Sequence, residues 1–304
     1  MSKKEMTAGP FAGYVGRIGG VLLAFAVLMT VLAASAGSNP SSPEIAWFPD
    51  TLYQGALMRL EVSFPHRAEG LSGDFLGREL HVYRDDDQAN RWIGFIGIDI
   101  DQEPGPVYLT LRTKDDVFTS KVHILEKGYG VRRLEIKEKE PDPQTLERIR
   151  EESELLEALW IRVDPTRFWR ESFLRPIPGK LTGEFGVRTY INGNRRSPHS
   201  GVDFRAQKNE NVICSNDGRV ALVRDLYYSG ISVFVDHGHS LYTMYFHLER
   251  PLVRQGDRIR RGEVVGKAGS TGRSTGVHLH WGARLNGARI DPLQLLDRSH
   301  MLSH

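Results

Sequence analysis

Five side chains in the C-terminal part of the sequence have types and spacings that could do chemistry: His199, Asp203, His247, His278 and His280. His278 and His280 flank Leu279 in the stretch VHLHW. On a strand, the two-residue period puts both imidazoles on one side and Leu279 in the opposite layer. Two imidazoles on one face can share a metal ion or divide ligand and acid–base work between them, although an HxH pair alone is a weak signal. His199 and Asp203, in PHSGVD, offer one nitrogen and one oxygen ligand if a turn near Gly201 brings them together, and zinc takes both. With His280 the set becomes two imidazoles and one carboxylate. Three protein ligands leave a fourth position open for water, whereas a closed structural site more often has four, commonly with cysteines. The single cysteine, Cys214, cannot supply them and is read as a small core residue. The set predicts one Zn2+ per chain on His199, Asp203 and His280, with water activated at neutral pH.

His247 ends the stretch LYTMYF. Strand alternation puts Tyr245 and His247 on one face and Phe246 on the other. Neither His247 nor His278 is needed as a fourth ligand, so both are candidate catalytic residues. One would orient or deprotonate the water; the other would donate a hydrogen bond to the tetrahedral oxyanion or a proton to the leaving amine. The division of roles between them stays open. His237 and His239, either side of Gly238, are read as structural or surface residues, as are the isolated His66, His81 and His123.

The elements that must position these groups read as mainly β. Residues 44–136 carry short apolar runs separated by Gly, Asp and Pro turn signals, the pattern of a small sandwich. The run RWIGFIGID at 91–99 is more apolar than the others. Residues 137–172 form a helical linker: Leu146, Ile149, Leu156 and Trp160 recur at helical spacing, Asp142 suits the N-cap and Pro143 the first turn. Its glutamates are a solvated face or, alternatively, a cover over an active-site groove. Residues 173–296 return to short strands punctuated by glycine and read as a compact antiparallel β domain. Residues 297–304, with His300 and His304, read as a flexible polar tail.

These residues resemble the lysostaphin-type zinc endopeptidases of bacterial cell walls. FGVR at 185–188 looks like that family's FGxR segment, and RSPHSGVDFRA at 196–206 contains its HxxxD motif. YFHL at 245–248 matches YxHL, GSTGRSTGVHLHWG at 269–282 resembles its STGxxTGxHLH signature, and Ile290-Asp291-Pro292 fits the usual end. The resemblance implies that His199, Asp203 and His280 ligate zinc and that His247 and His278 assist water attack and stabilise the oxyanion. It also implies a β-rich groove domain acting on peptidoglycan peptides. Arg188, Tyr190, Asn192 and Asn194 are candidate groove residues. The module at 44–136 loosely resembles the immunoglobulin-like modules that precede such domains; it would position the groove, dock an envelope protein partner or hold the site closed.

The first 36 residues read as a signal peptide or membrane anchor. Lys3, Lys4 and Arg17 precede a nearly uncharged run that ends in Ala34-Ser35-Ala36, a small-x-small cleavage pattern. Both outcomes place the rest in the periplasm or otherwise outside the cytoplasm, with inner-membrane anchoring as the uncleaved case. The charge of +2, from 40 basic and 38 acidic side chains, gives no reason to expect nucleic-acid binding. Oligomeric state is not legible. The leading expectation is a zinc endopeptidase cutting peptidoglycan cross-links; the alternative is an autoinhibited or non-catalytic wall-binding or regulatory protein that keeps its zinc site.

Overall fold

The computed structural model describes residues 42–85, 88–135, 141–162 and 164–301. The expected signal or anchor at 1–36 lies outside them. Among the described residues no helix is long and apolar enough to cross a membrane. The architecture is mainly β, with distinct N- and C-terminal sheet modules and one helix of 18 residues between them.

The first module contains β1 (Glu44–Phe48), β2 (Leu52–Tyr53), β3 (Leu57–Ser63), β4 (Ser72–Phe75), β5 (Arg78–Glu79), β6 (Val82–Arg84), β7 (Arg91–Gly97), β8 (Gly105–Arg112) and β9 (Val117–Leu125). They make two sheets, ordered β1-β3-β7-β6 and β2-β9-β8-β4-β5. Met58, Leu60 and Val62 of β3 pack with Phe75, Leu109, Leu111 and Ile124 of the other sheet. Leu57 of β3, with Ile93 and Phe95 of β7, points the opposite way into a core shared with the second module. Burial on both faces is why β7 reads as continuously apolar rather than alternating.

Strand β10 (Val131–Leu134) leaves the first module and pairs in parallel with β12 (Arg188–Ile191). Helix α1 (Pro143–Trp160) follows, as its periodicity predicts. The Asp142 carboxylate accepts from Thr145 N at 2.9 Å and Pro143 occupies the first turn, satisfying one orphan donor and needing none at the other position. Leu156, Leu159 and Trp160 pack on Leu222, Phe234, Tyr242 and Met244.

The second module comprises β11 (Leu181–Gly183), β12, β13 (Asn194–Arg195), β14 (Gly201–Arg205), β15 (Asn211–Ile213), β16 (Gly218–Leu226), β17 (Gly230–Asp236), β18 (Leu241–Pro251), β19 (Arg258–Ile259), β20 (Val264–Ala268), β21 (His278–Leu285) and β22 (Ala288–Ile290). Its main sheet follows the order β11-β14-β21-β18-β17-β16-β19. Strands β17 and β18 are covered on both faces. Val233, Val235, Leu241 and Tyr245 face the shared core, while Phe234, Tyr242 and Met244 face α1.

Two local features complete the module. Asn192 and Gly193 have φ of 50° and 78° and close the two-residue turn between β12 and β13. Asn192 is therefore a hairpin residue of the Asn-Gly kind. At the C-terminal end of the described residues, α2 (Arg298–Met301) places Met301, 1% exposed, in the shared core.

Candidate metal centre

The site is built where β14, β21 and β18 lie side by side. Antiparallel register places Asp203 of β14 opposite His280 of β21, and His280 opposite Phe246 of β18. No turn at Gly201 is needed to join His199 to Asp203. Gly201 opens β14, and His199 is fixed just before it by Gly186 N donating to its carbonyl and its own N–H donating to Val187 O.

Three donor atoms converge. His199 Nε2 lies 3.1 Å from Asp203 Oδ1 and 3.0 Å from His280 Nδ1, and His280 Nδ1 lies 3.0 Å from Asp203 Oδ1. Ligands held at about 2.0–2.1 Å in a tetrahedral shell sit roughly 3.3–3.4 Å apart, so these spacings suit one small ion. The chemistry of the donors fits it too. The His199 Nδ1–H donates to Glu184 O at 2.7 Å, which directs Nε2 inward. Burial alone would raise the Asp203 carboxyl, but hydrogen bonds from His199 and His280 outweigh it and hold it well below the usual carboxylate range. Burial likewise pulls the His199 ring down, yet Asp203 leaves it raised overall. The centre of the triad thus attracts positive charge, as a proton or as a metal ion. His280, 7% exposed, is pushed down by burial and is stacked on the Phe246 ring at 5.3 Å with planes 4° apart.

Two glycines make the space. A Cβ on Gly183 would collide with Asp203 Oδ2, and one on Gly201 would lie 2.6 Å from His280 Nε2. The sequence marks Gly201 only as a candidate turn and does not mark Gly183, because the clash comes from a neighbouring strand.

His247 and His278 complete the cluster, their ring centroids 4.7 Å apart. The expected alternation fails at His247. Tyr245 points into the shared core, its hydroxyl accepting from Ser215 N. Phe246 points to the metal side, and His247 lies on that side as well, 6.2 Å from His280 ring to ring. The cause is a register irregularity between β17 and β18, with His247 at φ 61°: a bulge residue re-aims the side chain. Its Nδ1–H donates to Thr271 O at 2.8 Å, leaving Nε2 as the acceptor. Burial, reinforced by the His278 and His280 rings, lowers its pKa to about 4. Thr271, quoted within the 269–282 signature but given no role there, is itself clamped. Its hydroxyl donates to Leu248 O at 2.7 Å and accepts from Ile231 N at 2.9 Å. His278 Nδ1–H donates to Gly276 O at 2.8 Å, and its Nε2 lies 3.8 Å from Asp203 Oδ1.

The other residues singled out in the sequence make contacts of their own. Arg188 pairs with Asp101 of the first module at 3.5 Å, and Arg133 lies over the Tyr190 ring. His237 is fully buried, with Nδ1–H donating to Asp217 O and Nε2 accepting from Thr243 Oγ1. His239 packs against Tyr83 and Trp169. Cys214 is a buried free thiol.

Residues 197–292, which hold the whole ligand cluster, match the model of peptidase family M23. The C-terminal module belongs to this family. The M23 segment is 37% identical over 100 residues to the peptidoglycan DD-endopeptidase ShyA of Vibrio cholerae, a match covering 33% of this chain and 23% of that protein. It is 35% identical over 116 residues to the DD-carboxypeptidase/endopeptidase Mpg of Neisseria meningitidis, covering 38% and 27%. The match thus spans well under half of either relative. Beyond the M23 segment, a crystal structure of an M23 peptidase candidate from Pseudomonas aeruginosa superposes with a TM-score of 0.66 at 29% identity, covering 80% of this chain and 94% of that one.

Proposed function

We propose that this protein is a zinc endopeptidase that hydrolyses peptide cross-links of peptidoglycan outside the cytoplasm. The observation that carries the reading is the convergence of His199, Asp203 and His280 beside two more imidazoles whose Nδ1–H groups are taken by backbone carbonyls. A purely structural metal would not need that second pair. The named activity of the Vibrio relative supplies the substrate class.

In this reading His199, Asp203 and His280 hold one zinc ion. Zinc supplies Lewis acidity, which makes water nucleophilic near neutral pH. His247 and His278 present Nε2 as acceptors. Either can take a proton from the attacking water and, once protonated, donate to the tetrahedral oxygen or the leaving amine. Residues 173–296 act as the peptidase unit. The two-sheet module at 44–136 supports an immunoglobulin-like reading and a positioning role, since Asp99 and Asp101 both hold Arg289 of the second module. It is also the surface through which an envelope partner would dock.

The test is digestion of purified sacculi and defined cross-linked muropeptides, with products identified by mass. His280→Ala should lose stoichiometric zinc and reduce cleavage to background. Cleavage at the wild-type rate by that variant would sink the reading, and absence of cleavage by the zinc-loaded wild type would favour the non-catalytic alternative.

A further inference from the structure

A second concavity lies at the margin of the main sheet opposite β14, where β16 meets β19. It encloses about 660 Å³, and its lining includes Phe168, Asp217, Arg219, Arg258, Arg260 and Glu263. Arg219 and Arg258 stand directly opposite each other in antiparallel register. Like charges so placed destabilise a sheet unless something offsets them. Asp236, Arg219's partner on β17, offsets Arg219 from the other side. The two carboxylates of the lining are turned to the backbone. Asp217 Oδ1 accepts from Arg261 N at 2.7 Å, and Glu263 Oε2 accepts from Arg260 N at 2.9 Å. Among the described residues Arg258 and Arg260 have no carboxylate partner.

We propose that this concavity binds a phosphate group carried on a larger molecule. Guanidinium forks match phosphate oxygens bidentately, which neither a lysine nor a single amide does. Three arginines against two carboxylates line one space and leave it net positive, while the hydrogen bonds from Arg261 N and Arg260 N turn Asp217 Oδ1 and Glu263 Oε2 toward the backbone. The volume falls in the range of about 300–1,000 Å³ typical of small-molecule sites, more than one inorganic phosphate fills. Half-buried Phe168 gives the carbon part of such a ligand an apolar wall. The concavity is separated from the metal ligands by β17 and β18. A molecule held there would tether the protein without occupying the peptide groove. A lipid headgroup and a soluble phosphodiester share this chemistry.

The zinc-loaded full chain would be titrated with phosphatidylglycerol/phosphatidylcholine vesicles, phosphatidylcholine vesicles, glycerophosphoglycerol and inorganic phosphate. The proteins compared would be wild type, the double variant Arg258→Gln/Arg260→Gln and the control Arg254→Gln, an exposed arginine outside the lining. The expected result is saturable binding of a phosphate ester, weakened at least ten-fold in the double variant, unchanged in the control and reduced by salt. Melting temperature and zinc content should match the wild type in both variants. Binding confined to phosphatidylglycerol vesicles assigns a lipid; equal binding of glycerophosphoglycerol assigns a soluble ligand. Loss of equal size in Arg254→Gln, or no binding of any phosphate probe, overturns the proposal. None of these readouts depends on peptidase activity.

Discussion

At the residue scale, the candidate metal cluster depends as much on missing side chains as on its donor residues. Gly183 and Gly201 leave the volume that Asp203 and His280 occupy. Gly183→Ala should keep the fold and displace the Asp203 carboxylate, lowering zinc affinity about 10–100-fold, the range seen when the support of a ligand is disturbed. Competition with a chromogenic chelator measures this, and circular dichroism checks the fold. His237 makes a separate prediction. Burial lowers its pKa from 6.5 to about 4, so the unfolded chain binds the extra proton first as pH falls. Stability from this group is present above about 6.5 and lost as pH drops toward 4, by about 3 kcal/mol at most. Replacing it, as in His237→Gln, should flatten the acid limb of the unfolding free energy between pH 7 and 4.5, measured by urea melts. An equal slope in both proteins would remove His237 as a source of acid sensitivity.

At the element scale, α1 and the bulge in β18 have different jobs. The helix covers the face of β16, β17 and β18 that carries Phe234, Tyr242, Met244 and Phe246. Phe246 in turn stacks on His280, so the helix backs the aromatic layer beside the candidate triad. Its glutamates are partly engaged at this edge: Glu152 Oε2 accepts from Tyr227 N at 2.8 Å. Leu159 is 5% exposed. Leu159→Ala should cost about 2–4 kcal/mol by the usual cost of a buried leucine truncation, read from the urea midpoint at unchanged slope. The bulge makes no comparable contribution to burial. Its effect is directional, bringing His247 to the same side as Phe246.

At the scale of the whole molecule, the two modules share one core. Trp169, fully buried, lies 5.8 Å from the Phe95 ring of the first module. Gly97 of β7 fits against Leu285 O, Ala288 and Ile290. Gln294 accepts from Leu57 N at 2.9 Å and donates to Gly55 O at 3.0 Å. Burial alone would raise the Asp99 carboxyl; the hydrogen bonds from Arg289 outweigh it and hold it low. The first module is therefore part of the folding unit of the second. A chain lacking residues 44–136 would expose Trp169 and Ile290 to water, and it should be recovered mainly in the insoluble fraction or melt well below the intact protein. A soluble fragment with an unchanged melting temperature would show that the shared core contributes little.

The candidate donor cluster was legible residue by residue. The types and order of His199, Asp203, His247, His278 and His280 pointed to the donor atoms that the structure brings together, because imidazole and carboxylate carry their donor chemistry wherever they stand. Helix α1 was legible for a related reason: capping and a 3.6-residue period are local signals. The face of His247 was not, since strict alternation predicts one side and a register irregularity between two strands imposes the other. The apolar run of β7 was visible, but its meaning was not, because a sequence does not say which partner covers its second face. The same limit hid the opposition of Arg219 and Arg258 and the glycine gaps around the triad. Each of these is a contact between strands far apart in the chain. Local pattern fixes which side chains exist and how they repeat, while register and packing between distant segments fix what they face.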